Sequence, residues 1–79
     1  MTIDYYTEAE SIARTVAAQG HADEARLLRD SVECGSTASE ILMALRFRLA
    51  ALDSSGIIRD ALTVERVRRL VAALNNELS

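Results

Sequence analysis

His21 and Cys34 carry the most versatile side-chain chemistry in this sequence, and each is the only one of its kind among 79 residues. A cysteine nucleophile needs an imidazole within about 3 Å to take up its proton. Thirteen positions separate the two, and on one helix, at 1.5 Å rise per residue, they stand about 20 Å apart at opposite ends. A Cys–His pair is therefore not expected, and one cysteine with one histidine cannot build a zinc site. Gly20, Gly35 and Gly56 stand alone, so no glycine-rich loop is present to cradle a phosphate. The acids lie mostly at helix starts or beside arginines, where solvated faces carry them, not in facing inward pairs that would hold a metal. The expectation is a protein that is not an enzyme, with no catalytic residue, no metal and no cofactor. His21 is read as filling a loop or a helix N-terminus and Cys34 as a small buried hydrophobe at a helix end.

Two groups of residues could act by binding. Arg66, Arg68 and Arg69 suggest contact with phosphates, but Glu65 is adjacent, the chain carries a net charge of −3, and no lysine or stacking aromatic lies nearby. Nucleic acid is not an expected partner. At the other end, Asp4, Tyr5, Tyr6, Glu8 and Glu10 set two of the three aromatics among carboxylates. Tyrosine joins apolar area to a polar tip and recurs at interface hot spots, while carboxylates steer a basic target. These five residues are the candidate protein-binding site; the competing reading packs one tyrosine inward and lays the other over the last helix.

The elements that position these groups are limited by size. A chain this short buries roughly 60 to 65% of the surface its unfolded form exposes, enough for one small core over residues 1–79 but not for a deep cleft. Apolar residues make up 49% of the sequence, proline is absent, and the longest apolar runs, such as Ile41 to Leu45, have five residues. This is a globular composition with no stretch near the ~20 residues a membrane span needs. No secretory signal is legible at the N-terminus, and an unpaired cysteine without one suggests the cytoplasm. Charge divides unevenly: residues 1–35 hold seven acids against three arginines (−4), and residues 36–79 hold six arginines against five acids (+1). The acidic half suits a basic partner.

Four helices are expected. Helix 1 starts near Asp4 or Thr7, where Thr7-Glu8-Ala9-Glu10 fits a capping box, and its apolar stripe is Tyr5, Tyr6, Ala9, Ile12, Ala13, Val16 and Ala17, weak because it is rich in alanine. Helix 2 runs from about Ala22 to Cys34 with Ala25, Leu28 and Val32 inward and Leu27 alongside. Gly20 and Gly35 are read as left-handed residues ending these two helices. Thr37-Ala38-Ser39-Glu40 is a second capping box, and helix 3 follows with two apolar faces: Ile41, Leu42, Leu45, Leu49 and Leu52 on one, Met43, Ala44, Phe47, Ala50 and Ala51 on the other, with Arg46 and Arg48 at the borders. Such a helix is central to the domain or lends its second face to a partner. Thr63 is the expected cap of helix 4, whose Val64, Val67, Val71, Leu74 and Leu78 form one stripe that Leu70 widens. The predicted architecture is an all-α, four-helix bundle-like domain with helix 3 central.

The segment Ser36-Thr37-Ala38-Ser39-Glu40-Ile41-Leu42-Met43-Ala44-Leu45-Arg46-Phe47 resembles one seen in short all-α bacterial proteins associated with the immunity partners of secreted polymorphic toxins. The resemblance is close over about twelve residues and extends in pattern over about sixty. It departs at Ser39, where a residue such as threonine is usual, and at Phe47, where tryptophan is usual. It carries over Thr37, Glu40, Leu42, Met43, Leu45 and Arg46 as motif positions. It implies a non-catalytic protein that neutralises a toxin by covering it, through charge and shape. The alternative class is a self-associating structural or regulatory module in which Met43, Phe47 and Ala51 meet a second copy.

Overall fold

The computed structural model describes residues 4–79, and in it four helices follow one another: α1 (Tyr5–Ala18), α2 (Ala22–Glu33), α3 (Ala38–Ser55) and α4 (Ala61–Leu78). Three begin with a side chain that accepts from the amides their first turn leaves free. Asp4 caps α1, taking the Thr7 amide at 3.1 Å and the Thr7 hydroxyl at 2.8 Å. Asp60 caps α4 in the same way through the amide and hydroxyl of Thr63. Thr37 caps α3, its hydroxyl accepting from the Glu40 amide at 3.2 Å, while the Glu40 carboxylate reaches back to the Ser36 amide at 3.4 Å. The second capping box therefore forms, shifted by one residue on its return bond.

Helix 1 starts at Asp4, one of its two expected starts, but the capping box at Thr7 and the expected cap of helix 4 need correction. Thr7 and Thr63 are not caps; each is the third residue of its helix and is held by the aspartate three positions earlier. A carboxylate accepts two bonds at once and is favoured at the positive end of the helix dipole, so it displaces the hydroxyl. Thr63 is also only 3% exposed, so its methyl group joins the interior while its hydroxyl is satisfied locally. That moves the inward line of α4 to Thr63, Val67, Leu70 and Leu74, with Val64, Val71 and Leu78 half-buried at its edge.

Glycine at 20 has φ +93°, as a left-handed stop requires, and Gly56, with φ +72°, caps α3. Gly35 does not adopt a positive φ. A Cβ there would run into the side chain of Ile41 and lie 3.2 Å from its backbone N and Cα. Its missing side chain is what lets the α2–α3 turn fold tightly onto the start of α3.

Connections of three to five residues leave little choice but antiparallel neighbours. α1 packs on α2, α2 on α3 and α3 on α4, and α4 closes the ring against α1 with the slightest contact. The radius of gyration, 11.5 Å, equals what about 79 residues give when fully collapsed. The core is one cluster: Ala9, Ile12, Ala13 and Val16 from α1, Ala25 and Leu28 from α2, Leu45, Leu49 and Leu52 from α3, Val67, Leu70 and Leu74 from α4, and Ile58 from the last connection. Ser31 joins it by donating its hydroxyl to the Leu27 carbonyl one turn back. α3 lies between α2 and α4 and buries one of its two apolar faces. The other faces solvent, with Phe47 66% and Met43 54% exposed and Ala44, Ala50 and Ala51 exposed among them.

Candidate protein-binding surfaces

Four of the five N-terminal candidates are engaged within the chain. Asp4 is a helix cap, and the Tyr5 hydroxyl crosses to α4 and donates to Glu77 at 3.2 Å. Glu8 accepts from Arg66 at 3.0 Å, and the same guanidinium donates to the Ser11 hydroxyl at 2.7 Å. Glu10 receives a forked pair from Arg29 at 3.1 and 3.2 Å, with Arg14 3.9 Å away. Tyr6 makes no such bond and faces outward, 42% exposed, beside a shallow groove that α1 and α2 line with Glu10, Arg29, Val32 and Glu33. Tyr5 thus lies over the last helix, as half of the competing reading had it, but Tyr6 does not pack inward, because it stays on the outer side of α1.

The α4 arginines are likewise committed. Arg66 pairs with Glu8, Arg68 with Asp53 at 3.1 Å and Arg69 with Glu65 at 2.9 Å. Arg46, a motif position, donates to Asn75 of α4 at 3.3 Å. The other motif positions divide: Thr37 and Glu40 start α3, Leu45 is buried, Leu42 is half-buried against the core, and Met43 faces out. Cys34 is exposed at the end of α2 instead of buried, because the turn that Gly35 allows carries position 34 to the outer side. Leu27 is also exposed, beside Asp23 and Asp30 on the outer side of α2. His21 is half-buried at the N-cap position of α2, without capping through its side chain. It borders a wide, open depression with Gln19, Arg59 and Asp60, where Gln19 donates to Asp60 at 2.7 Å and ties the end of α1 to the start of α4.

Among the described residues, Asp23, Asp30 and Glu33 on the outer ridge of α2 have no ion-pair partner. Arg26 accompanies them on the exposed side, leaving the ridge negative. The sequence signal for this ridge was the −4 balance of residues 1–35; its location was hidden because the acids of α1 are neutralised by arginines 19 and 58 positions away.

Three carboxyls are held below their ordinary range: Asp4 chiefly by the Thr7 amide, Glu10 by the Arg29 guanidinium, and Asp60 by the Thr63 hydroxyl and amide. Burial pushes the Tyr5 phenol up, and its bond to Glu77 adds to this. A carboxyl whose folded pKa is depressed binds protons more readily when unfolded, so its stabilisation is present above the unfolded value and is lost as pH falls through the folded one. The thermal midpoint is therefore expected to fall as pH drops below about 4. In the triple variant Asp4→Asn, Glu10→Gln, Asp60→Asn that slope flattens; a slope unchanged from wild type in calorimetry across this range contradicts the assignment.

No helix among the described residues is long and apolar enough to cross a membrane. No family model matches the chain, and no curated protein or solved structure matches it.

Proposed function

We propose that this chain is a small, non-catalytic protein-binding module that offers the outer ridge of α2, flanked by Tyr6, to a basic surface of another protein. The observation that carries the reading is the set Asp23, Asp30 and Glu33, charged, exposed and without ion-pair partners among the described residues while the acids of α1 are spent on the chain's own arginines. Three acids against Arg26 leave the ridge net negative, and net negative charge of this kind steers a basic partner and accelerates encounter. Tyr6 supplies an adjacent aromatic anchor. The role implied by the resemblance is immunity: a cytoplasmic protein that holds a cognate bacterial toxin inactive by covering its basic working surface.

The test begins with capture of the partner by the tagged chain, identification of that partner, and titration calorimetry with the purified pair. Reversing Asp23, Asp30 and Glu33 to lysine is expected to weaken binding by at least about tenfold at low salt and to remove most of its salt dependence. Reversing Asp4 and Glu8 on α1 is expected to change affinity far less. Equal affinity of the ridge variant and wild type would sink this assignment, and a captured toxin whose activity is untouched in the complex would sink the immunity role.

A further inference from the structure

The outer face of α3 has a character different from that of the α2 ridge. Met43, Phe47 and Ala51 follow one another at single-turn spacing along it, all exposed. Beside Ala51, between α3 and α2, lies an open recess of about 140 Å³ with Leu27, Ala51, Leu52 and Ile57 as its apolar lining. Its two walls carry opposite charges, Glu24 on α2 and Arg48 on α3. Neither has an ion-pair partner among the described residues. The Arg48 guanidinium instead sits 5.5 Å from the centre of the Phe47 ring.

A surface that meets its own copy across a two-fold axis must be complementary to itself, since whatever residue i touches at j is repeated from j to i. The α2 ridge fails this condition, because acids would face acids. The α3 face satisfies it twice, holding a projecting ring with a recess to receive one, and one acid with one base. The recess, open on one side, has about the volume of an enclosed apolar cavity of roughly 150 Å³ that binds benzene, so a ring entering from a second copy would fill it. Two α3 helices crossed antiparallel, with the axis midway between Phe47 and Ala51, set each Phe47 over the second copy's Ala51. Met43 then lies over Ser55 at the rim of the same recess.

We propose that the chain forms a two-fold homodimer through this face, with Phe47 of each copy seated in the α2–α3 recess of the other and Glu24 facing the second copy's Arg48. The interface uses none of the α2 acids assigned to the basic partner, so a dimer presents two such ridges outward. Eighteen residues of α3 span about 27 Å, which over a helix width of about 10 Å makes a strip of about 270 Å² per copy, below the roughly 1,200 Å² total of a stable interface even when the recess is added. The association is accordingly expected to be weak and reversible, with a dissociation constant of about 0.1 mM or higher.

Sedimentation equilibrium on the whole chain tests this directly. Wild type is expected to rise from 8.6 kDa towards twice that mass as concentration passes from about 1 µM to about 1 mM. Phe47→Asp, on an exposed position and with an unchanged circular dichroism spectrum, weakens the association by at least about tenfold. Glu24→Arg and Arg48→Glu each weaken it, and the two together restore it, because the reversed pair faces its partner again. Three results would overturn the proposal: a monomer across the whole range, a dimer indifferent to Phe47→Asp, or a double reversal no tighter than the single ones. Capture of a basic partner by the α2 ridge is unaffected by Phe47→Asp, so failure of one assignment does not disguise failure of the other.

Discussion

Leu49→Ala is expected to cost about 2–5 kcal/mol, the range for truncating a leucine inside a packed core. Leu49 is fully buried in the centre of α3, within the cluster to which all four helices contribute. A domain of this length has only about 4–12 kcal/mol of total stability, so the loss is a large fraction of it. Urea titration followed by circular dichroism should show the midpoint moved sharply down, and the thermal midpoint should fall by at least about 10 °C. Leu62→Ala is the matching control: the same atoms are removed from a residue 71% exposed at the start of α4, and the change should stay within about 0.5 kcal/mol. Equal effects at the two positions would mean that the core does not lie where α3 is described as facing.

Gly35→Ala is the second large effect, and its cause is steric, not conformational. The new methyl collides with the Ile41 side chain and crowds that residue's backbone, and overpacking of this kind costs about 1–3 kcal/mol. Gly56→Ala provides the contrast, since a Cβ there meets nothing within 4 Å and the penalty is only the left-handed backbone, about 1–2 kcal/mol. The two are separated by a double-mutant cycle with Ile41→Ala. Shortening Ile41 should recover a measurable part of the loss at Gly35, and nothing at Gly56, where the effects should add. If the Gly35 and Ile41 changes also add, the close approach between them is not the source of the cost.

These positions show what kind of information the sequence holds. Helix 3 was legible with its two apolar faces because both repeat at helical spacing along twelve consecutive residues. The half of each capping signal that depends on neighbours three apart was equally legible at Thr37 and Glu40. At helix 1 the sequence left Asp4 and Thr7 as possible starts, and at helix 4 it pointed to Thr63; in both places the aspartate three residues before the threonine took the cap. Packing then drew Thr63 inward and turned the buried line of α4 by part of a turn.

Local ion pairs such as Glu65 with Arg69, four apart, follow from helix geometry and need no tertiary structure. The pairs that decide which acids remain free do not: Glu10 meets Arg29 and Glu8 meets Arg66 only because α1 lies antiparallel to both α2 and α4. That antiparallel arrangement moved the available negative charge from the N-terminal tyrosines to the ridge of α2. By itself the sequence determined four helices, their lengths to within a few residues and the doubly apolar character of α3, because these depend on contacts within a turn or two. Only the tertiary structure decided which face of α3 is covered. Four helices closed in a ring give each an inner side and an outer side, and no further element among the described residues lies over Phe47.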